Sequence, residues 1–131
     1  MRASTLLTVA TVAMLTFVGL LSGVVEAFLV PVELLPGISV ATLAAVPLNY
    51  WLAVAGKGCG WRWGGLLAIL AWFVVVMLAS AGRPEGDLVI LGTYGGLGFL
   101  FFGTIAGAVG LTRRPRRPEF KHEESAPITP T

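Results

Sequence analysis

Few residues in this chain have the type and setting to do chemistry. Glu26 is the only acid or base inside any of the long apolar stretches, Cys59 is the only cysteine and His122 the only histidine. An acid inside a membrane is costly and marks a proton or cation path unless it sits where water and headgroups reach it. A single cysteine forms no internal disulfide, and neither Cys59 nor His122 has the partners that zinc ligation requires. Glu85 and Asp87 suggest a carboxylate pair, but nothing around them supplies a nucleophile, a metal partner or a pocket wall. Asp87 directly precedes an apolar run, where a carboxylate accepts from the free N–H groups of a first helical turn and complements the helix dipole. The glycine-rich stretch GKGCGWRWGG at 56–65 follows no strand and lacks the glycine spacing of a phosphate or dinucleotide loop. No Ser/His, paired-Asp or His/Glu metal arrangement falls within the apolar stretches, so the chain reads as non-enzymatic, with no cofactor and no metal.

The elements that must position these residues follow from composition. Of 131 residues 56% are hydrophobic and 12% charged, and the mean hydropathy of +0.85 lies outside the range of soluble domains. Four apolar stretches, 6–30, 38–56, 64–82 and 88–111, each approach the roughly 20 residues that cross a hydrocarbon core as a helix. The fold expected is an all-α membrane protein of four transmembrane helices with short loops over 1–112, followed by a polar, disordered tail over 113–131. What remains outside the spans is too little for a second, soluble domain. The first stretch is longer than a signal-peptide core, which predicts that it is retained rather than cleaved after Val25 or Ala27. Pro31 and Pro36 predict a tight turn after it. Pro47 predicts a kink in the second helix, where the Leu43 carbonyl loses its donor.

Eight of the nine Lys and Arg residues flank one side of this arrangement: Arg2, Lys57, Arg62, Arg113, Arg114, Arg116, Arg117 and Lys121. The positive-inside rule then places both termini in the cytoplasm of a plasma-membrane, multi-pass protein, with Glu33 and Glu85 outside. Trp51, Trp61 and Trp63 surround the second-to-third loop as an interfacial belt. Cys59, at this edge, is read as an unmodified reduced thiol rather than an acylation site. The basic cluster Arg113, Arg114, Arg116 and Arg117 is placed to contact anionic lipid, worth about 1 kcal/mol per side chain near the surface. It lacks the interleaved aromatics that nucleic-acid binding needs. The partner expected first is therefore the lipid bilayer.

Two glycine stripes predict where helices pack. In the last stretch Gly92, Gly96, Gly103, Gly107 and Gly110 share one helical face, with Leu97, Phe101 and Ile105 on the opposite, lipid-suited face. In the first, Gly19 and Gly23 form a small-xxx-small pair alongside Ser22 and Glu26. The glycine faces serve packing within the chain, against a second copy or against another membrane protein, with packing inside the chain favoured. Counted from Leu6, Glu26 lies about 30 Å along the helix, near the outer interface, which predicts a solvated interfacial carboxylate rather than a proton-linked group.

Four short-looped spans, the sequence RPEGD at 83–87 and a glycine-rich last helix ending in RRPRR resemble a group of small integral membrane proteins of actinobacteria to which no activity is assigned. The resemblance implies a bacterial plasma membrane and brings no functional residues. In size, span number, a glutamate in the first helix and glycines in the last, the chain is also similar to the small multidrug-resistance exporters. That likeness implies an oligomeric, proton-coupled transporter acting through Glu26, although the exporters' glutamate lies deep in the membrane. The function expected is an accessory or scaffold subunit of a membrane assembly, with the small transporter as its alternative.

Overall fold

The computed structural model describes residues 3–61, 63–81 and 93–113. Four helices and one short strand pair follow in order: α1 (Ala3–Leu29), β1 (Glu33–Leu35), β2 (Ile38–Ser39), α2 (Val40–Gly58), α3 (Gly64–Ser80) and α4 (Tyr94–Thr112). Two of these, α1 and α4, are long and apolar enough to cross a membrane, and α3 is a shorter apolar helix.

Each boundary has a local cause. α1 ends one residue before the Val30–Pro31 bond, where proline disfavours helical geometry in the residue before it. The expected tight turn is an antiparallel ribbon, pairing Glu33 with Ser39 and Leu35 with Ile38. Pro36 and Gly37 turn it, Gly37 at a φ of 83° that a side chain would resist. Ser39 ends the ribbon and caps α2, its hydroxyl accepting from the Thr42 N–H at 3.2 Å. α2 therefore begins two residues later than hydropathy alone predicts, and it continues through Pro47 as one helix. α4 begins at Tyr94, where Thr93 is its cap, accepting from the Gly96 N–H at 3.1 Å. That role was expected of Asp87, which together with Glu85 and Gly92 lies outside the described residues.

The helices alternate in direction. α1 packs closely along α3, α2 packs closely along α4, and α2 also touches α1 and α3. α3 and α4 meet only lightly, leaving between them an apolar groove of about 750 Å³ lined by Phe73, Met77, Leu97, Leu100, Phe101 and Ile105 among others. The interior divides into two clusters. At the ribbon end Trp72, Val76 and Phe99 pack with Ala27, Val30, Ala41 and Ala45. At the end holding the α2–α3 loop, Leu15, Leu52, Ala53, Ala68 and Ile69 pack together.

Candidate functional site

Glu26 is 2% exposed and faces the interior, which corrects the expectation of a solvated carboxylate. At its start α1 extends beyond the packed bundle: residues 3–10 lie mostly exposed, ahead of the first buried residue, Val12. Register against α3 is the proper ruler. A Cβ at Gly19 would strike the Ala68 carbonyl oxygen, and one at Gly23 would lie 3.2 Å from that of Trp72. Four residues separate each pair, so α1 and α3 run parallel in step, and Glu26 comes level with Val75. At 1.5 Å per residue it sits about 16 Å beyond the first residue of α3 and about 8 Å before its last.

The partner waiting there is Trp72. Its Nε1–H donates to Glu26 Oε2 at 2.7 Å, a charge-assisted geometry if the carboxylate is ionised. A fully buried indole needs an acceptor for its N–H, and the two requirements meet across helices. The ring is held edge-on to Phe99, centroids 5.5 Å apart at 67°. Its far edge occupies space that Gly103 leaves open: a Cβ there would lie 2.7 Å from Trp72 Cη2 and 3.3 Å from Asn49 Nδ2. Asn49, also fully buried, donates from Nδ2 to the Gly103 carbonyl at 3.4 Å, a long bond. One carboxyl, one indole, one amide and one glycine carbonyl thus come from four different helices. Two acceptors in this group have no hydrogen-bond partner among the described residues, Glu26 Oε1 and Asn49 Oδ1. Buried acceptors left unpaired cost about 1–3 kcal/mol each, so the site is either completed by something or tolerated for a purpose.

The other expected site residues are placed as follows. Gly19 and Gly23 face α3, Gly96 is buried in the first turn of α4, and Gly103 and Gly107 meet Trp72 and Ile69. Leu97, Phe101 and Ile105 are exposed on the other side of α4. Arg113, expected at lipid headgroups, has its guanidinium 5.5 Å from the centre of the Tyr50 ring. Arg114, Arg116 and Arg117 lie outside the described residues. Trp51, Trp61 and Trp63 are all well exposed. Sequence reasoning passed over Trp72 and Asn49, although each carried a signal: a polar hydrogen-bonding group deep in an apolar stretch must find a partner. It also passed over Lys57, whose Nζ donates to the Leu111 and Arg113 carbonyls at the end of α4, the place where a cation complements free carbonyls and the helix dipole. Among the described residues no three His, Cys, Asp or Glu side chains gather as a metal site. No family model, curated protein or solved structure matches the chain.

Proposed function

We propose that the chain is a multi-pass protein of a bacterial plasma membrane, crossing it four times with both termini cytoplasmic, and that it serves without catalysis as an accessory or scaffold subunit. The observation that carries the membrane reading is an inverted distribution of residue size and polarity. The interior is built from Gly, Ala, Ser, Thr, Asn and Glu around a few large side chains, whereas Leu7, Met14, Phe17, Phe28, Leu78, Phe101 and many other large apolar residues lie on the outside. Water would not tolerate so continuous an apolar surface. In lipid it is neutral, and association is driven by close packing of small residues and by interhelical hydrogen bonds. The α3–α4 groove supports the subunit role, because it offers a partner helix an apolar seat.

The orientation follows from the charge pattern, with the ribbon outside and the α2–α3 loop inside. Single cysteines introduced into a Cys59→Ser background test it. Glu33→Cys and Glu85→Cys should react with an impermeant maleimide on intact cells, and Lys57→Cys only after permeabilisation. Labelling of Glu85→Cys only after permeabilisation overturns the assignment.

A second reading, a small oligomeric proton-coupled transporter, is favoured by one observation: Glu26 is buried among the helices rather than exposed. Two observations weigh against it. The glycines of α4 are used within the chain, against Trp72, Ile69 and Ala53, rather than presented to a second copy. Access on the loop side is also closed by backbone packing, described below. Flux of a cationic dye driven by a pH gradient in proteoliposomes, lost in Glu26→Gln, would promote the transporter reading over the subunit reading.

A further inference from the structure

Among the described residues Glu26 has an unpaired oxygen, a fixed indole donor and no charged neighbour, and these features ask what ligand completes the site. Its sole hydrogen-bond partner among the described residues is Trp72. The groups gathered around this end of the interior are Trp72 and Val76 from α3, Ala41 and Ala45 from α2 and Phe99 from α4, none of which titrates. Of the other described titratable groups, Glu33 and Tyr94 stand at the ribbon end, with Glu33 against Gly95 of α4. Tyr50, Lys57, Cys59 and Arg113 belong to the loop half, where Lys57 and Arg113 engage the end of α4 and the Tyr50 ring. A metal ion bound through oxygen takes six or more ligands, and the site offers two unpaired acceptor oxygens. A proton needs no cavity and removes the charge.

The two directions out of the site differ. Toward the loop, α2 and α3 touch backbone to backbone: a Cβ at Gly56 would strike Gly65, and one at Gly64 would lie 2.6 Å from the Gly56 carbonyl oxygen. On this side of Glu26 come first Ser22, whose hydroxyl donates to the Gly19 carbonyl at 3.0 Å, and the amide of Asn49; beyond them the buried side chains Leu15, Leu52, Ala53, Ala68 and Ile69 carry no exchangeable proton. Toward the ribbon, three buried hydroxyls flank the remaining 8 Å or so of helix. Ser39 and Thr42 lie in the first turn of α2 and share a 3.1 Å hydrogen bond, and Ser80 is the last residue of α3. Hydroxyls both donate and accept, so toward the ribbon, side chains suited to relaying a proton reach the end of the bundle, whereas toward the loop they stop at Ser22 and Asn49 and give way to apolar packing.

We propose that Glu26 is a one-sided proton-binding site, exchanging with the ribbon side of the membrane only, with Trp72 as the donor that senses its state. A through-membrane carrier needs access from both sides, so this site registers acidity on one face instead. The inference rests on the membrane reading for the existence of two faces, and the test separates the two.

The experiment uses the full chain with Trp51, Trp61 and Trp63 replaced by Phe, leaving Trp72 as the only tryptophan, excited where tyrosine does not absorb. It is reconstituted at low protein-to-lipid ratio, and the vesicles are sorted by access of a C-terminal tag to an impermeant resin. With the tag inside, acidifying the bulk should change Trp72 emission in a single protonation step. With the tag outside, the same acidification should do nothing until an ionophore equilibrates the lumen. Glu26→Gln should remove the response in both populations. Glu26→Asp, which keeps the acid but draws it away from the indole, should still take up a proton, seen as a carboxyl infrared band, with a smaller fluorescence change. No titration in either population, a response from the tag side, or a response surviving in a folded Glu26→Gln overturns the proposal. Release of the protein from vesicles by alkaline carbonate would instead overturn the membrane reading, before any titration is attempted.

Discussion

The two halves of this bundle solve the same packing problem with opposite means. In the loop half, α2 and α3 approach until their backbones touch, through Gly56, Gly64 and Gly65, and the interior is filled by Leu52, Ala53, Ala68 and Ile69. In the ribbon half the packing centres on the side chains of Trp72 and Phe99, and the buried polar groups around them are a carboxyl, an amide and the hydroxyls of Ser22, Ser39, Thr42 and Ser80. Backbone contact leaves nothing to adjust, so the first half is a rigid clamp. Side-chain contact leaves rotamers and hydrogen bonds to rearrange, so the second half is the part able to respond to a ligand. The asymmetry argues that structure is secured at one end and chemistry is located at the other.

The largest expected effect is therefore in the clamp. Gly65→Leu places its Cβ against the Ala53 carbonyl oxygen, and neither backbone can yield, so the loss should reach or exceed the roughly 3 kcal/mol upper range of core overpacking. Thermal unfolding in detergent reads it, and a variant as stable as the parent would mean that the two helices do not touch as described. In the ribbon half, Gly103→Ala meets the edge of the Trp72 ring at 2.7 Å. A side chain can tilt where a backbone cannot, so the cost should be smaller, about 1–2 kcal/mol. Gly103→Leu should approach the Gly65→Leu loss.

Next in size is the hydrogen bond at the site. Trp72→Phe removes the N–H that Glu26 Oε2 accepts and leaves a buried carboxyl with no partner, at a cost of about 1–3 kcal/mol. A double-mutant cycle with Glu26→Gln isolates the coupling, expected within about 0.5–3 kcal/mol for residues in direct contact. Additive losses would show that the two side chains do not act as a pair. Lys57→Met follows, with a loss of about 0.5–1 kcal/mol, since it removes one cation from the end of α4. Its effect should be confined to the loop half, seen as faster amide exchange near Leu111 without change around Trp72.

These expectations also mark what was readable from sequence. The four helices were, because each apolar run is bounded by Pro, Gly or a capping hydroxyl that acts locally. The packing face of α4 was, because glycine spacing is a property of one helix. The environment of Glu26 was not. Its burial depends on the step between α1 and α3, set by Gly19 on Ala68 and Gly23 on Trp72, and its partner lies 46 residues away. A count along one helix carries no information about where a neighbouring helix begins.

The smallest expected effect is on the outer face, and its sign discriminates best. Leu97 and Phe101 are 51% and 63% exposed. In lipid, Leu97→Ala exchanges one apolar contact for another and should change stability by less than about 0.5 kcal/mol, in line with substitutions remote from any packed feature. Equal losses for Leu97→Ala and Gly103→Leu would mean that the faces of α4 are reversed. Phe101→Ser extends the argument to the surroundings of the whole molecule. If α4 faces water, replacing an exposed phenylalanine by serine removes apolar surface and should improve solubility and leave stability unchanged. If α4 faces hydrocarbon, the serine hydroxyl must turn back to its own helix, as Thr104 does in donating to the Leu100 carbonyl. The fraction recovered in membranes should then fall slightly or stay the same, with no soluble protein gained. A monodisperse soluble Phe101→Ser protein would remove the membrane reading and with it the distinction between two faces on which the Glu26 site depends.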